Sequence, residues 1–257
     1  MKMKIKGDLY MKMTMIENTI LCVKWGDKYS RIYVEKLKED VEINCSIPVN
    51  FYCLTDNPTE SYDVQLPTHW DEYYNPDTNK FWAYRKFYMF NMVKNFPSIK
   101  GRKFLFLDLD IIIHQNLKYF FDLPMDKPWI VRGWWNNIDI CKKNYGRVMG
   151  PPLNSSVIRW NDGQMTKIYN HIETNKEVIF FTYPTIDNYL NHFWYDIWKE
   201  DEGFLQGFPV GDMYSWYKGN IFNEDMELKK LRPDQKICLF NNSSSDYYDV
   251  EEFRKLW

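Results

Sequence analysis

The feature that most constrains this chain is the run Phe104-Leu-Phe-Leu-Asp-Leu-Asp-Ile-Ile-Ile113, apolar throughout except at Asp108 and Asp110. A period of two places Phe104, Phe106, Asp108 and Asp110 on one side of a strand and Leu105, Leu107 and Leu109 on the other. Apolar residues on both sides predict a central strand covered above and below. The two carboxylates then share a face at its end, at the bottom of a cleft. Solvated aspartates that merely close a strand are the duller alternative, and the apolar flanks leave them little reason to be there.

Two buried charges of one sign are expensive unless a cation neutralises them. Mg²⁺ and Mn²⁺ are commonly held by one or two carboxylates while substrate phosphates complete the shell. The pair therefore points to a divalent cation and a nucleoside-diphosphate ligand.

The neighbouring pattern predicts an α/β fold. Thr19 to Lys24 reads as a strand ending at Trp25-Gly26-Asp27, and Ile32, Tyr33, Leu37 and Val41 follow at helical spacing. Val49 to Leu54 reads as a second strand, stopped by Thr55-Asp56-Asn57-Pro58. Phe81 to Phe96, with Trp82, Met89 and Val93 around Arg85 and Lys86, predicts a mostly buried helix, and Phe104 to Leu107 a third strand. Alternating strands and helices imply a mainly parallel sheet, whose ligands sit at the carboxyl ends of the strands. The loops after Lys24, Leu54 and Leu107 are the ones to watch.

Composition narrows the class. Hydrophobic residues make up 45% of the 257, ample for a packed core. With no repeat and no low-complexity linker, only a Pro-punctuated loop from Asn57 to Asn79, we expect residues 1–18 to be a flexible leader and 19–257 a single domain. A net charge of −2 gives no field to hold a nucleic acid or an anionic membrane, and no apolar run is long enough for a membrane-spanning helix. Cys22, Cys45, Cys53, Cys141 and Cys238 are odd in number and lack a CxxC pair, which favours a reducing, cytoplasmic setting. The sequons at Asn154, Asn241 and Asn242 are discounted for that reason. Richness in Asn, Lys and Tyr suggests an AT-rich genome, a viral one included.

The segment Phe106-Leu-Asp-Leu-Asp-Ile-Ile-Ile113 resembles the DxD strand of GT-A fold glycosyltransferases, particularly the family 8-like group. Cys22 to Ser30 resembles that group's first strand and nucleotide loop, Phe51 to Asn57 its second strand, and Asn154-Ser-Ser-Val157 a segment lining the sugar pocket. The matches keep the family's order over roughly residues 19 to 220. The resemblance implies a single Rossmann-like GT-A domain that moves a sugar from a nucleotide-sugar, UDP-linked by analogy, to a hydroxyl of a glycan, protein or small molecule, with Mn²⁺ or Mg²⁺ and retention of configuration.

By that resemblance Asp110 binds the metal directly and Asp108 binds the metal, the ribose or both. Thr55 and Asp56 touch the nucleoside, Lys24 a phosphate, and Tyr29 the base. Asn154 and Ser155 line the donor sugar. Lys86 sits near the diphosphate and assists its departure. Thr185-Ile-Asp-Asn-Tyr189 resembles the acidic segment beside the transferred sugar, with Asn188 where Gln is usual, so Asp187 and Asn188 are candidate catalytic residues. Ordinary readings stand beside these: Thr55-Asp56 as a turn, Lys24 as a solvated charge, Lys86 as a snorkelling side chain and Asp187 as a helix cap.

The family's late histidine ligand has no counterpart here. Asn241 and Asp246 are the replacements on offer, and none of His69, His114, His171 and His192 is assigned. Trp129, Trp134, Trp135, Trp194, Trp198, Trp216 and Tyr217 suit an acceptor groove, although most aromatics are core. Two rivals remain: a haloacid-dehalogenase-like phosphohydrolase, for which Val210-Gly211-Asp212 imitates a later motif, and a binding protein that has kept the fold without turnover.

Overall fold

The computed structural model describes residues 17–73, 83–133, 152–195, 203–209, 211–218, 228–241 and 253–256. Strand β1 (Asn18–Lys24) leads into helix α1 (Arg31–Asn44) and returns as β2 (Asn50–Thr55), followed by a short β3 (Asp63–Gln65). Tyr33, Val34, Leu37 and Val41, spaced at threes and fours, bury one stripe of α1. The half-buried ion pair Lys36–Asp40, at 3.0 Å, flanks that stripe. Ile32, expected in the buried stripe, lies outside it and is exposed; Val34 takes its place.

A 3₁₀ helix (Tyr84–Asn91) and one turn of α2 (Met92–Asn95) stand where a single long helix was expected. Asn91 breaks the run by leaving helical geometry and accepting the Lys94 amide with its side chain. The 3₁₀ turns nevertheless bury Tyr84 and every residue from Lys86 to Phe90, as the apolar composition requires. Val93 is exposed, and Phe81 and Trp82 lie outside the described residues.

Beyond them come β4 (Lys103–Leu107), β5 (Ile111–Ile113), α3 (Lys118–Asp122), β6 (Trp129–Arg132), β7 (Leu153–Asn161), α4 (Thr166–Thr182), α5 (Ile186–Trp194), β8 (Gln206–Gly207), β9 (Met213–Ser215) and β10 (Ile237–Leu239). The main sheet has the order β3-β2-β1-β4-β7-β6-β8, and every strand but β7 runs the same way. A mixed α/β fold with a mainly parallel central sheet is thus what the alternating pattern led one to expect.

Period two holds along β4. Phe104 and Phe106 enter the core beneath the 3₁₀ helix, α4 and α5, while Leu105 and Leu107 enter the core with α1 and α3. The strand stops at Leu107, however, with one further ladder bond from the Asp108 amide to Ser156 O at 2.8 Å. Ile111–Ile113 belong to a second, three-stranded sheet of order β5-β10-β9. Asp108 and Asp110 therefore occupy the crossing between two sheets, and the apolar run is two strands with a site between them.

Candidate functional site

The register of the parallel strands gathers the site. Lys24 pairs with Thr55 at the ends of β1 and β2, and Leu21 pairs with Phe106, so all three chains leave the sheet along one edge. From the 3₁₀ helix, Lys86 reaches that edge and its ammonium meets both carboxylate oxygens of Asp108, at 2.7 and 2.8 Å. A third contact is Ser155 O at 3.4 Å, and the Phe106 ring lies 5.1 Å beneath. Lys86 is buried, so this is a pair that a cation in an apolar helix needs, and not a snorkelling side chain.

Asp110 is treated differently. Its backbone carbonyl accepts the Phe240 amide at 3.0 Å, which fixes the turn against β10. Burial, and next the neighbouring Asp108, push its carboxyl up to about 6 against the opposing pull of Lys28 and Lys86. A carboxylate held this way gains most from a cation, and the oxygen-only donor set suits Mg²⁺ or Mn²⁺ better than zinc. Among the described residues no three or more His, Cys, Asp or Glu side chains form a metal cage, so further ligands would come from an amide or from substrate. The residues present fit such an ion on those terms. Asn241 follows Phe240 directly and is fastened by Ser215 Oγ, which donates to its Oδ1 at 2.5 Å. Asp246 lies outside the described residues.

Asp187 comes in from α5. The cap of that helix is Thr185, whose hydroxyl accepts the Asn188 amide at 3.1 Å, so Asp187 is free of capping duty. Its Oδ1 accepts the Ser155 amide at 3.0 Å and its Oδ2 accepts Asn154 Nδ2 at 3.4 Å. Burial raises its pKa, while the Ser155 bond and Lys86 oppose the rise. Asn154, Ser155, Asp187, Lys86 and Asp108 thereby form one connected group. Asn188 is turned the other way: its Oδ1 receives the Thr185 hydroxyl at 2.6 Å, so the amide oxygen serves the helix end.

At the other end of the edge, Asp56 Oδ2 accepts the Gly26 amide at 2.9 Å, which locks the loop after β1 to the loop after β2. Gly26 has φ +57°, a conformation that suits glycine. Thr55 Oγ1 accepts the Asn57 amide, and Lys24 folds back onto Gly26 O at 3.1 Å, both as ordinary turn chemistry. Tyr29 meets Tyr33 edge-on, with ring centroids 5.1 Å apart, and packs on the core beside α1. Lys24, Thr55 and Asp56 thus stand together at one end of the strand edge with their local roles intact, whereas Tyr29 turns to the core beside α1.

Sequence reasoning missed two lysines. Lys28 lies within electrostatic reach of Asp110. Lys218 lies within reach of Asp187, and burial lowers its pKa against that attraction. No spacing rule brings residue 218 to residue 187; only the second sheet does. Of the aromatics, Trp129, Trp194 and Trp216 are core residues, as the ordinary reading of them has it, Tyr217 is half-buried against the core, and Trp134, Trp135 and Trp198 lie outside the described residues. Asp212, paired with Lys236 at 2.6 Å, precedes Met213 at the end of the second sheet away from Ile111, so the sheet separates it from Asp108 and Asp110 and it does not join them as the phosphohydrolase reading requires; Val210 lies outside the described residues.

No protein-family model matches the chain, and no curated protein matches it. Solved structures do. The galactosyltransferase LgtC, in complex with donor and acceptor sugar analogues, is similar over 93% of this chain and 94% of its own, with TM-score 0.56 and 13% identity. A glycosyltransferase involved in glycosylation of the major capsid of PBCV-1 is similar over 93% of this chain and 98% of its own, with TM-score 0.52 and 17% identity. The bifunctional glycosyltransferase WbbM gives TM-score 0.55 at 11% identity over 90% of this chain and 46% of its own. The fold is that of GT-A glycosyltransferases. No helix among the described residues is long and apolar enough to cross a membrane.

Proposed function

We propose that this chain is a metal-dependent glycosyltransferase that moves a sugar from a nucleoside-diphosphate sugar, a UDP-sugar in the first instance, to an acceptor hydroxyl. The observation that carries the reading is the Lys86–Asp108 pair beside the high-pKa Asp110, at the carboxyl edge of three parallel strands in a glycosyltransferase fold. Asp108 and Asp110 would hold Mn²⁺ or Mg²⁺, which supplies charge neutralisation for a departing diphosphate.

The chain's own groups divide the remaining work. Thr55 and Asp56 face the nucleoside. Lys86, whose ammonium already lies among anionic groups, supports the leaving phosphate. Asp187, held by Ser155 and Asn154, orients the donor sugar. The bond from the anomeric carbon to the β-phosphate oxygen breaks as the bond to the acceptor oxygen forms, and the acceptor proton passes to the departing diphosphate. Retention needs no strong base beside the acceptor; were the enzyme inverting, Asp187 would be the base. The test is UDP release from a panel of UDP-sugars with Mn²⁺, with and without sugar acceptors. Acceptor-stimulated release supports transfer, whereas nucleotide binding without any release would make the chain a binding protein on this fold.

A further inference from the structure

Arg85 stands next to Lys86 on the 3₁₀ helix and points away from the aspartate pair. Its three guanidinium nitrogens are all engaged: Nε donates to Tyr84 Oη at 3.2 Å, Nη2 to Asp71 Oδ2 at 2.8 Å and Nη1 to Asp56 Oδ2 at 3.4 Å. Tyr84 closes the cycle by donating to Asp71 Oδ1 at 2.9 Å. The oxygen of Asp56 that meets Arg85 is the one that accepts the Gly26 amide. A continuous chain of bonds thus runs from the Gly26 loop through Asp56 and Arg85 to the short 3₁₀ helix Asp71–Tyr73.

We infer that Arg85 is a positioning residue for the nucleoside end of the site, acting through Asp56 on the loops after β1 and β2. Asp56 keeps a side-chain exposure of 35%, so by itself it is a loosely held surface carboxylate. Arg85, at 18%, gives it a fixed cationic backing, and Asp71 and Tyr84 fix the guanidinium in turn. Because Arg85 and Lys86 are consecutive, one helix sets both ends of the proposed donor site: Lys86 toward Asp108, Arg85 toward Asp56. The two neighbouring cations thus have separate partners and separate tasks.

This inference rests on the nucleotide-sugar reading for its ligand, so the test carries one measurement that needs no ligand. In the ligand-free protein, hydrogen exchange of the Gly26 amide should quicken about tenfold in Arg85→Met, because its acceptor is no longer held. With UDP and Mn²⁺, calorimetry should show affinity about tenfold weaker in Arg85→Met, with Arg85→Lys between that variant and wild type. In turnover the loss should appear in KM for the UDP-sugar, with kcat within about twofold. Lowered thermal stability with unchanged UDP affinity would make Arg85 merely structural and overturn the inference. Unchanged Gly26 exchange would overturn it as well. A wild-type protein that binds no nucleoside diphosphate would refute the donor-site reading itself, while the Gly26 measurement would still decide whether the clamp exists.

Discussion

The two halves of the main sheet set their functional groups by different means. In the half made of β1, β2 and β4, consecutive βα connections deliver loop after loop to one edge, and Lys24, Asp56 and Asp108 arrive there by register alone. In the half around β7, the strand direction reverses, and Asn154, Ser155 and Asp187 meet only because α5 packs beside β7. The first half holds its charges as pairs, such as Lys86–Asp108 and Arg85–Asp71. The second holds Asp187 by neutral donors, with Lys86 and Lys218 acting at longer range. The lesson is that the proposed donor end is built for charge and the sugar end for hydrogen-bond direction.

Removing one charge should therefore hurt the first half most. Lys86→Met leaves Asp108 without its counter-ion in a mostly buried setting and should cost about 3 kcal/mol of stability. In a chain of this size that is a fall of roughly 8 °C in Tm, partly recovered by adding Asp108→Asn. A fall without recovery would mean that Lys86 matters for packing and not for pairing. Asp187→Asn should act in the opposite sense on the comparison: stability changes by about 1 kcal/mol, while sugar transfer drops about 100-fold, measured as UDP release with saturating donor. An equal loss of stability in both variants would erase the contrast.

A gentler probe is pH. Asp110 has a folded pKa of about 6 against an ordinary 3.8, so it contributes stability that is present below about pH 4 and lost as pH rises through about 6. Metal binding runs the other way, because it needs the ionised carboxylate. With UDP present, the Mn²⁺-dependent rise in Tm should accordingly fade as pH falls through about 6, by up to a factor of ten in apparent metal affinity per unit. A pH-independent rise would place the metal elsewhere.

How much of this was legible beforehand follows the same division. The strands at Thr19, Val49 and Phe104 were readable because each is a short apolar run with a turn signal behind it. The aspartate pair was readable because charge inside such a run has few cheap explanations. Lys86 was readable as a cation in a buried segment, though its helix was mistaken in kind, since Asn91 interrupts it through a side-chain bond that periodicity cannot register. Lys218 near Asp187 was illegible because residues far apart in the chain meet there only through the second sheet, and Asn241, named beforehand as a replacement ligand, reaches the neighbourhood of Asp110's turn by the same sheet and not by any spacing rule. The bond from the Thr185 hydroxyl to the Asn188 amide oxygen was illegible as well, because it is set three residues upstream, at the helix cap.

The central claim is that Asp108 and Asp110 hold a cation on which nucleotide binding depends. Its most direct test is thermal unfolding of the wild type and of Asp110→Ala with UDP and Mn²⁺ together, and with each alone. Ligand at about a hundred times its dissociation constant contributes roughly 2.7 kcal/mol, a shift of about 5 °C or more. The account predicts that this shift requires both ligands and disappears in Asp110→Ala; a shift that survives the substitution, or none in the wild type with any nucleoside diphosphate, would contradict it.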